Sequence, residues 1–217
     1  MPQENKYHRY INLPFELKKP QLCNVMPKNL KHYDIPHHKD LQLNEFLKQF
    51  NLLTTNTELF YTPGGQKLPI HIDDWREDDH VKINISWGPP EGTTRWWKSP
   101  NFTGDQDYDG TYKSHDDLDD SIKPYNFSDR HHHSIIHKEE DCELIHEANT
   151  NKPSLVNVGT FHSSFNPTKE GRWTLCFVLG HKDYDIDSID SVDGFKGRIK
   201  FSKALEIFKE FIDGEDF

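Results

Sequence analysis

Two long β-forming runs joined by a compact turn constrain this chain more than any other feature of it. The first begins at Ser154 and closes with Leu155-Val156-Asn157-Val158-Gly159-Thr160-Phe161-His162. The second opens at Arg172 and extends to Leu179. Between them lies Asn166-Pro167-Thr168-Lys169-Glu170-Gly171, built from the residues that turns demand. β-Branched and aromatic residues dominate both runs, as a pleated, half-buried surface requires. Shorter runs of the same kind span Glu58 to Thr62, Lys67 to Asp73, Val81 to Trp87 and Thr93 to Trp97. A further strand is expected around Tyr10 to Phe15, and Pro63-Gly64-Gly65 marks a turn. Helical spacing occurs only outside this block. It places Leu43, Phe46, Leu47 and Phe50 on one stripe within 40–52, and Phe201, Ala204, Leu205, Phe208 and Ile212 on another within 201–212. Many short strands braced by flanking α-helices predict a mainly β, jelly-roll barrel.

A chain of 217 residues fits one domain, with a β core over about 58–180 and a closing helix over about 201–212. Hydrophobic residues are 33% of it, so the 12% that are aromatic must supply much of the buried area. The formal charge of −10 disfavours a nucleic-acid partner, whose phosphates require clustered Lys and Arg. Cys23, Cys142 and Cys176 are far apart and form no CxxC, which suits a reducing cytosol and excludes a thiolate zinc site. Met1 to Lys6 contains no apolar run, so no signal peptide is expected, and no stretch is long and apolar enough to span a membrane. A cytoplasmic location follows as the expectation. Residues 98–150 break the strand pattern: they are acidic, polar and hold six histidines. A loop of that length is functional or disordered as a rule, and its expected place is over the mouth of the barrel.

His71-Ile72-Asp73 sits in a β-prone run, and on a strand the side chains of i and i+2 share a face. The pattern alone carries little, because four other His-x-Asp triplets start at His32, His38, His115 and His181. Their contexts are Pro-broken, acidic or without a later histidine. His162 is the distal partner, and Arg172 follows it by ten residues across the turn, an offset no other histidine in the chain shows. Arg172 and Thr174 again share a strand face. Two imidazoles and a carboxylate can hold a redox-active iron while leaving positions open. A guanidinium can grip a carboxylate through two parallel hydrogen bonds.

These residues resemble the Fe(II)- and 2-oxoglutarate-dependent oxygenases, whose pattern is His-x-Asp, a distal His, then Arg-x-Ser or Arg-x-Thr. The likeness covers about residues 58–180. It is closest to the prolyl-hydroxylase-like and phytanoyl-CoA-hydroxylase-like branches, and some phages encode similar small proteins. The resemblance implies a double-stranded β-helix (cupin-like) fold. It implies Fe(II) on His71, Asp73 and His162, and a 2-oxoglutarate cosubstrate whose far carboxylate meets Arg172 and Thr174. O₂ is the second cosubstrate, with ascorbate as a reductant. Tyr61, ten residues before His71, matches a cosubstrate-binding tyrosine of the prolyl-hydroxylase type. Trp87 stands where a second tyrosine is expected, and Asn84 is the polar substitute. The implied reaction is hydroxylation of a peptidyl residue or a small molecule. The alternatives are a cupin-type metal protein without oxygenase activity and a catalytically silent binding module.

Other clusters read more simply. His131-His132-His133 with His137 is a solvated loop, since adjacent strand residues point to opposite faces. Asp105 to Asp116 imitates a calcium loop but lacks its closing Glu. Asp183 to Asp187 is an acidic connection. Trp75, Trp87, Trp96 and Trp97 are core or barrel lining, with one or two placed to sort substrates.

Overall fold

The computed structural model describes residues 5–35, 40–73, 80–98, 139–182 and 197–213. Its strands are β1 (His8–Tyr10), β2 (Lys31–Asp34), β3 (Leu52–Thr62), β4 (Val81–Trp87), β5 (Thr93–Lys98), β6 (Glu143–Ala148), β7 (Ser154–Asn157), β8 (His162–Phe165) and β9 (Arg172–His181). Its helices are α1 (Leu41–Lys48) and α2 (Phe201–Ile207). Two antiparallel sheets result, ordered β1-β7-β4-β9-β3-β2 and β6-β5-β8. Bridges from Lys67 to Phe165 and from His71 to His162 lay the 67–71 segment along the free side of β8. Strands β1 to β4 lie in the larger sheet, and from β6 to β9 successive strands alternate between the two sheets, as in a jelly roll.

Alternation along the strands decides which sheet face carries what. In β4, Ile83 and Ile85 point one way, and Lys82, Asn84 and Ser86 point the other. In β9, Trp173, Leu175, Phe177 and Leu179 share the first face, whereas Arg172, Thr174 and Cys176 share the second. The first face packs against Leu43, Phe46 and Leu47 of α1 and Phe201 and Ala204 of α2, forming the main core. The second face, unusually polar, looks toward the smaller sheet and lines the interior of the barrel. Asp40 caps α1 by accepting the Leu43 N–H at 3.0 Å. Asn51, at φ 63°, turns the chain directly from α1 into β3. Phe177 is fully buried on the helix-facing side. Phe177→Ala is therefore expected to cost about 3–5 kcal/mol in chemical denaturation, with the fold retained.

Several element boundaries differ from the sequence reading. The expected strand from Ser154 to His162 is two strands in two sheets. Asn157 Oδ1 accepts the Gly159 N–H at 3.0 Å, and the chain crosses between sheets over Val158–Phe161. The N-terminal strand lies at His8–Tyr10 rather than beyond Tyr10, with Ile11 held by a single bridge to Ile212. Helix α2 ends at Ile207 and a 3₁₀ turn over Lys209–Phe211 follows it. Within 98–150, Lys98 closes β5 and Glu143–Ala148 forms β6, so part of that segment is sheet. β6 is an edge strand with Glu143, Leu144 and Ile145 exposed, and it shows no apolar alternation to betray it. The placement over the barrel mouth, the His131–His133 cluster, the calcium-like segment, Trp75 and the acidic 183–187 run fall outside the described residues. The three cysteines are free. Among the described residues no helix is long and apolar enough to cross a membrane.

Candidate metal centre

His71 and His162 oppose each other across a two-way backbone pair. The His71 N–H donates to the His162 carbonyl at 2.9 Å, and the His162 N–H donates back at 2.8 Å. That register sets the imidazoles side by side, with ring centroids 4.4 Å apart. Asp73 lies two residues beyond His71, and its N–H donates to the Val158 carbonyl at 3.2 Å. Its Oδ1 comes to 3.3 Å from His71 Nε2 and 3.7 Å from His162 Nε2. One ligand atom from each residue lies within 4.8 Å of the others.

The hydrogen bonds behind the rings fix what they present. His71 Nδ1 is 2.9 Å from the Pro69 carbonyl and His162 Nδ1 is 2.9 Å from the Thr160 carbonyl. A carbonyl only accepts, so each Nδ1 carries a proton and each ring turns its Nε2 toward Asp73. Burial first, and then His71, lower the His162 pKa to about 4, which keeps that ring neutral at physiological pH. Burial alone would raise the Asp73 carboxyl; the Lys82 ammonium foremost outweighs it and holds the acid well below the usual range. Two imidazole Nε2 atoms and a carboxylate oxygen thus converge on one point, and this donor set fits a divalent transition metal.

The buried histidines also set a pH dependence. The His8 pKa is lowered to about 4, by burial foremost, and His80 is pushed well below its ordinary value for the same leading reason. An unfolded chain binds these protons near the normal histidine pKa, so below it the unfolded state holds more protons and stability falls on acidification. For His162 alone the loss is ~2 kcal/mol by pH about 5. Thermal denaturation of metal-free protein should show Tm falling steadily between pH about 7 and about 5. A flat profile contradicts the neutral, buried rings.

A cavity of about 50 Å³ opens from the triad and is lined further by Phe60, Leu68, Asn84, Thr94, Thr174 and Cys176. Lys82 enters its floor from β4, 2.6 Å from Asp73 Oδ2 and 2.5 Å from Glu58 Oε2. Burial lowers a lysine pKa, but Asp73 and Glu58 more than reverse this, so the ammonium stays charged. Behind the cavity wall formed by Thr174 lies Arg172, 1% exposed. Its Nη2 donates to Thr150 Oγ1 at 3.1 Å. Ser86 Oγ lies 2.7 Å from Thr150 Oγ1 and 2.8 Å from Thr174 Oγ1, so a chain of hydroxyls links the guanidinium to the cavity wall. Among the described residues, Arg172 Nε and the buried Asn84 Oδ1 have no hydrogen-bond partner. Among the described residues no carboxylate pairs with Arg172, and burial pushes its pKa down to about 10. A Cβ on Gly92 would fall 2.4 Å from Arg172 Cδ, so a glycine there leaves the guanidinium its room.

The structure thus brings together His71, Asp73 and His162, and places Asn84 and Thr174 on the cavity wall. Arg172 lies one step behind that wall. Tyr61 requires a correction. The period of two sends Glu58, Phe60 and Thr62 inward and Tyr61 outward, where its ring packs 4.8 Å from Trp173 in the main core. Phe60 occupies the inward position instead. Trp87, Trp96 and Trp97 do not line the cavity. Sequence reasoning did not single out Lys82, Glu58, Ser86 or Thr150. The signal was present for two of them: Lys82 and Ser86 alternate with Ile83 and Ile85, a polar stripe on a strand whose other stripe is apolar.

No family profile matches the chain, and no curated protein sequence matches it. Among solved structures it is similar to HygX from Streptomyces hygroscopicus, determined with nickel and 2-oxoglutarate bound. The identity is 14% over 74% of each chain, with a TM-score of 0.39. An oxidoreductase of the 2OG-Fe(II) oxygenase family from Burkholderia pseudomallei matches at 8% identity. It covers 64% of this chain and 52% of its own length, with a TM-score of 0.34. An RmlC-like cupin protein from Desulfovibrio desulfuricans matches at 11% identity over 75% of this chain and 97% of its own, with a TM-score of 0.32. The chain spans only 30% of another match, EvdMO1. Likenesses this distant decide neither family nor activity.

Proposed function

We propose that this chain is an Fe(II)- and 2-oxoglutarate-dependent dioxygenase that hydroxylates a peptidyl residue or a small molecule, releasing succinate and CO₂. The observation that carries the reading is the convergence of two imidazoles and a carboxylate near a buried guanidinium that has no acidic partner among the described residues. A buried, unpaired guanidinium is costly in the free protein, and its retention is best explained by an anionic ligand.

Charge distribution supports a dicarboxylate that bridges the two ends. Among the described residues near the triad, the Asp73 and Glu58 carboxylates and the Lys82 ammonium leave one net negative charge. The far end carries the single positive charge of Arg172. A divalent cation bound with one carboxylate would neutralise the first end, and a second carboxylate on the same molecule would neutralise the other. 2-Oxoglutarate has that disposition, with a keto acid to chelate at one end and a free carboxylate at the other.

His71, Asp73 and His162 would hold the iron, which supplies O₂ activation coupled to oxidative decarboxylation of the keto acid, one oxygen atom passing to succinate and the other to the substrate. The chain's own residues bind, orient and exclude. Pro69 and Thr160 carbonyls hold the two rings in the metal-binding tautomer. Arg172, steadied by Thr150, receives the distal carboxylate, and the Thr174 hydroxyl adds a donor beside it. Asn84 offers a carbonyl oxygen toward the middle of the pocket. Phe60 and Leu68 keep water out of the space between.

Calorimetric titration of N-oxalylglycine, a non-reactive mimic of the cosubstrate, tests the reading. Binding is expected in the presence of Mn(II) and at least ~10-fold weaker without it, because the keto acid end loses its chelation. Mn(II) binding without mimic binding would leave a cupin-type metal protein. Binding of neither would leave a silent module.

A further inference from the structure

We infer that Lys82 is a positioning residue that restricts Asp73 to one ligand oxygen, so that the metal keeps its open positions for cosubstrate and O₂. This inference rests on the metal reading of His71, Asp73 and His162. The two oxygens of Asp73 are already divided in the structure. Oδ1 faces the two Nε2 atoms at 3.3 and 3.7 Å, and Oδ2 faces the Lys82 ammonium at 2.6 Å. A carboxylate can bind a cation through one oxygen or both, and nothing in an aspartate alone selects between them. Here Oδ2 is held in a close ion pair with an ammonium whose side chain is 7% exposed.

The ammonium is itself held from behind. Glu58 Oε2 lies 2.5 Å from Nζ, and Lys82 and Glu58 project from strands on either side of β9, Lys82 opposite Val178 and Glu58 opposite Cys176. Glu58 therefore plays two parts. It anchors the ammonium against swinging toward the cavity, and it cancels the positive charge that would otherwise repel an incoming divalent cation. A bare ammonium beside a metal ligand would weaken metal binding; an ammonium neutralised from the far side can steer Oδ2 without that penalty. Neither Lys82 nor Glu58 needs to touch the ion.

The alternative, that Lys82 acts only as a counter-charge for two buried carboxylates, makes a different prediction for a charge-balanced pair of changes. Glu58→Gln combined with Lys82→Met removes one negative and one positive charge, so net charge is unchanged, but the tie on Oδ2 is gone. Replacing a buried ion pair by neutral groups of similar size is compatible with folding. The readout is the water-proton relaxivity of Mn(II)-loaded protein, which counts waters on the ion, alongside Mn(II) affinity by calorimetry. With Oδ2 free to join Oδ1, one water position is lost, and relaxivity per bound ion should fall by about one third with affinity equal or higher. Glu58→Gln alone keeps the Lys82 tie and should show native relaxivity. Native relaxivity in the double variant overturns the proposal. A second measurement needs no variant: in crystals of the native chain loaded with Mn(II), only Oδ1 should bond the ion while Lys82 stays on Oδ2. Both oxygens on the ion would overturn it. A native chain that binds no Mn(II) at all fails at the metal reading instead, and the role of Lys82 falls with it.

Discussion

Asp73→Ala should lower Mn(II) affinity by at least ~100-fold and reduce any 2-oxoglutarate turnover to background. The lower bound follows because removing even an outer partner of a ligand costs about 10- to 100-fold in metal affinity, and Asp73 supplies one of the three candidate donors among the described residues. The variant should still fold. Lys82 keeps its pairing with Glu58 at 2.5 Å, so no buried ammonium is stranded by the change. Circular dichroism should be native while calorimetry shows no Mn(II) binding at concentrations that saturate the unaltered chain. A variant that binds Mn(II) like the native protein would remove the carboxylate from the site.

Arg172→Met should move affinity and stability in opposite directions. A bidentate, charge-assisted contact to a buried carboxylate contributes about 3–4 kcal/mol, so N-oxalylglycine should bind to the Mn(II)-loaded variant roughly 100- to 1000-fold more weakly. Mn(II) affinity itself should not change, because the guanidinium touches none of the three ligand side chains. In the ligand-free protein Arg172 is 1% exposed, bonded to Thr150 and paired with no described carboxylate. Replacing such a group by an apolar chain of similar length relieves desolvation, and the free variant is expected to be about 1–4 kcal/mol more stable. Arg172→Lys keeps the charge but loses the two-pronged geometry, and should fall between the two in mimic affinity. An Arg172→Met variant less stable than the native chain would mean that the guanidinium is structural and has a partner of its own.

How much of this was legible in the sequence depends on whether spacing or phase carried the information. Spacing was readable. Arg172 ten residues after His162, across a Pro- and Gly-containing turn, places both on neighbouring stretches of the barrel whatever their exact ends, and the shared face of His71 and Asp73 follows from the strand period. Phase was harder. Tyr61 and Phe60 are equally β-prone, and nothing local states which of them turns inward; only the pairing with β9, where Phe60 meets Thr174 and Tyr61 meets Trp173, decides it. Thr150 was invisible because its contact with Arg172 spans 22 residues and depends on how the chain leaves β6. Strand β6 itself was missed because this edge strand buries only His146 and Ala148 in part and so has no apolar period to reveal. Lys82 and Glu58 are 24 residues apart, and charges on β-strands read as solvated until burial shows them facing the barrel interior.

The most direct test is oxygen-isotope labelling. The chain is incubated with Fe(II), ascorbate, 2-oxoglutarate and isotopically heavy O₂, and the succinate is examined by mass spectrometry. The expected result is succinate carrying one heavy oxygen, formed only with Fe(II) present and absent from Asp73→Ala. Succinate without label, or succinate formed equally by Asp73→Ala, would contradict the proposed dioxygenase chemistry.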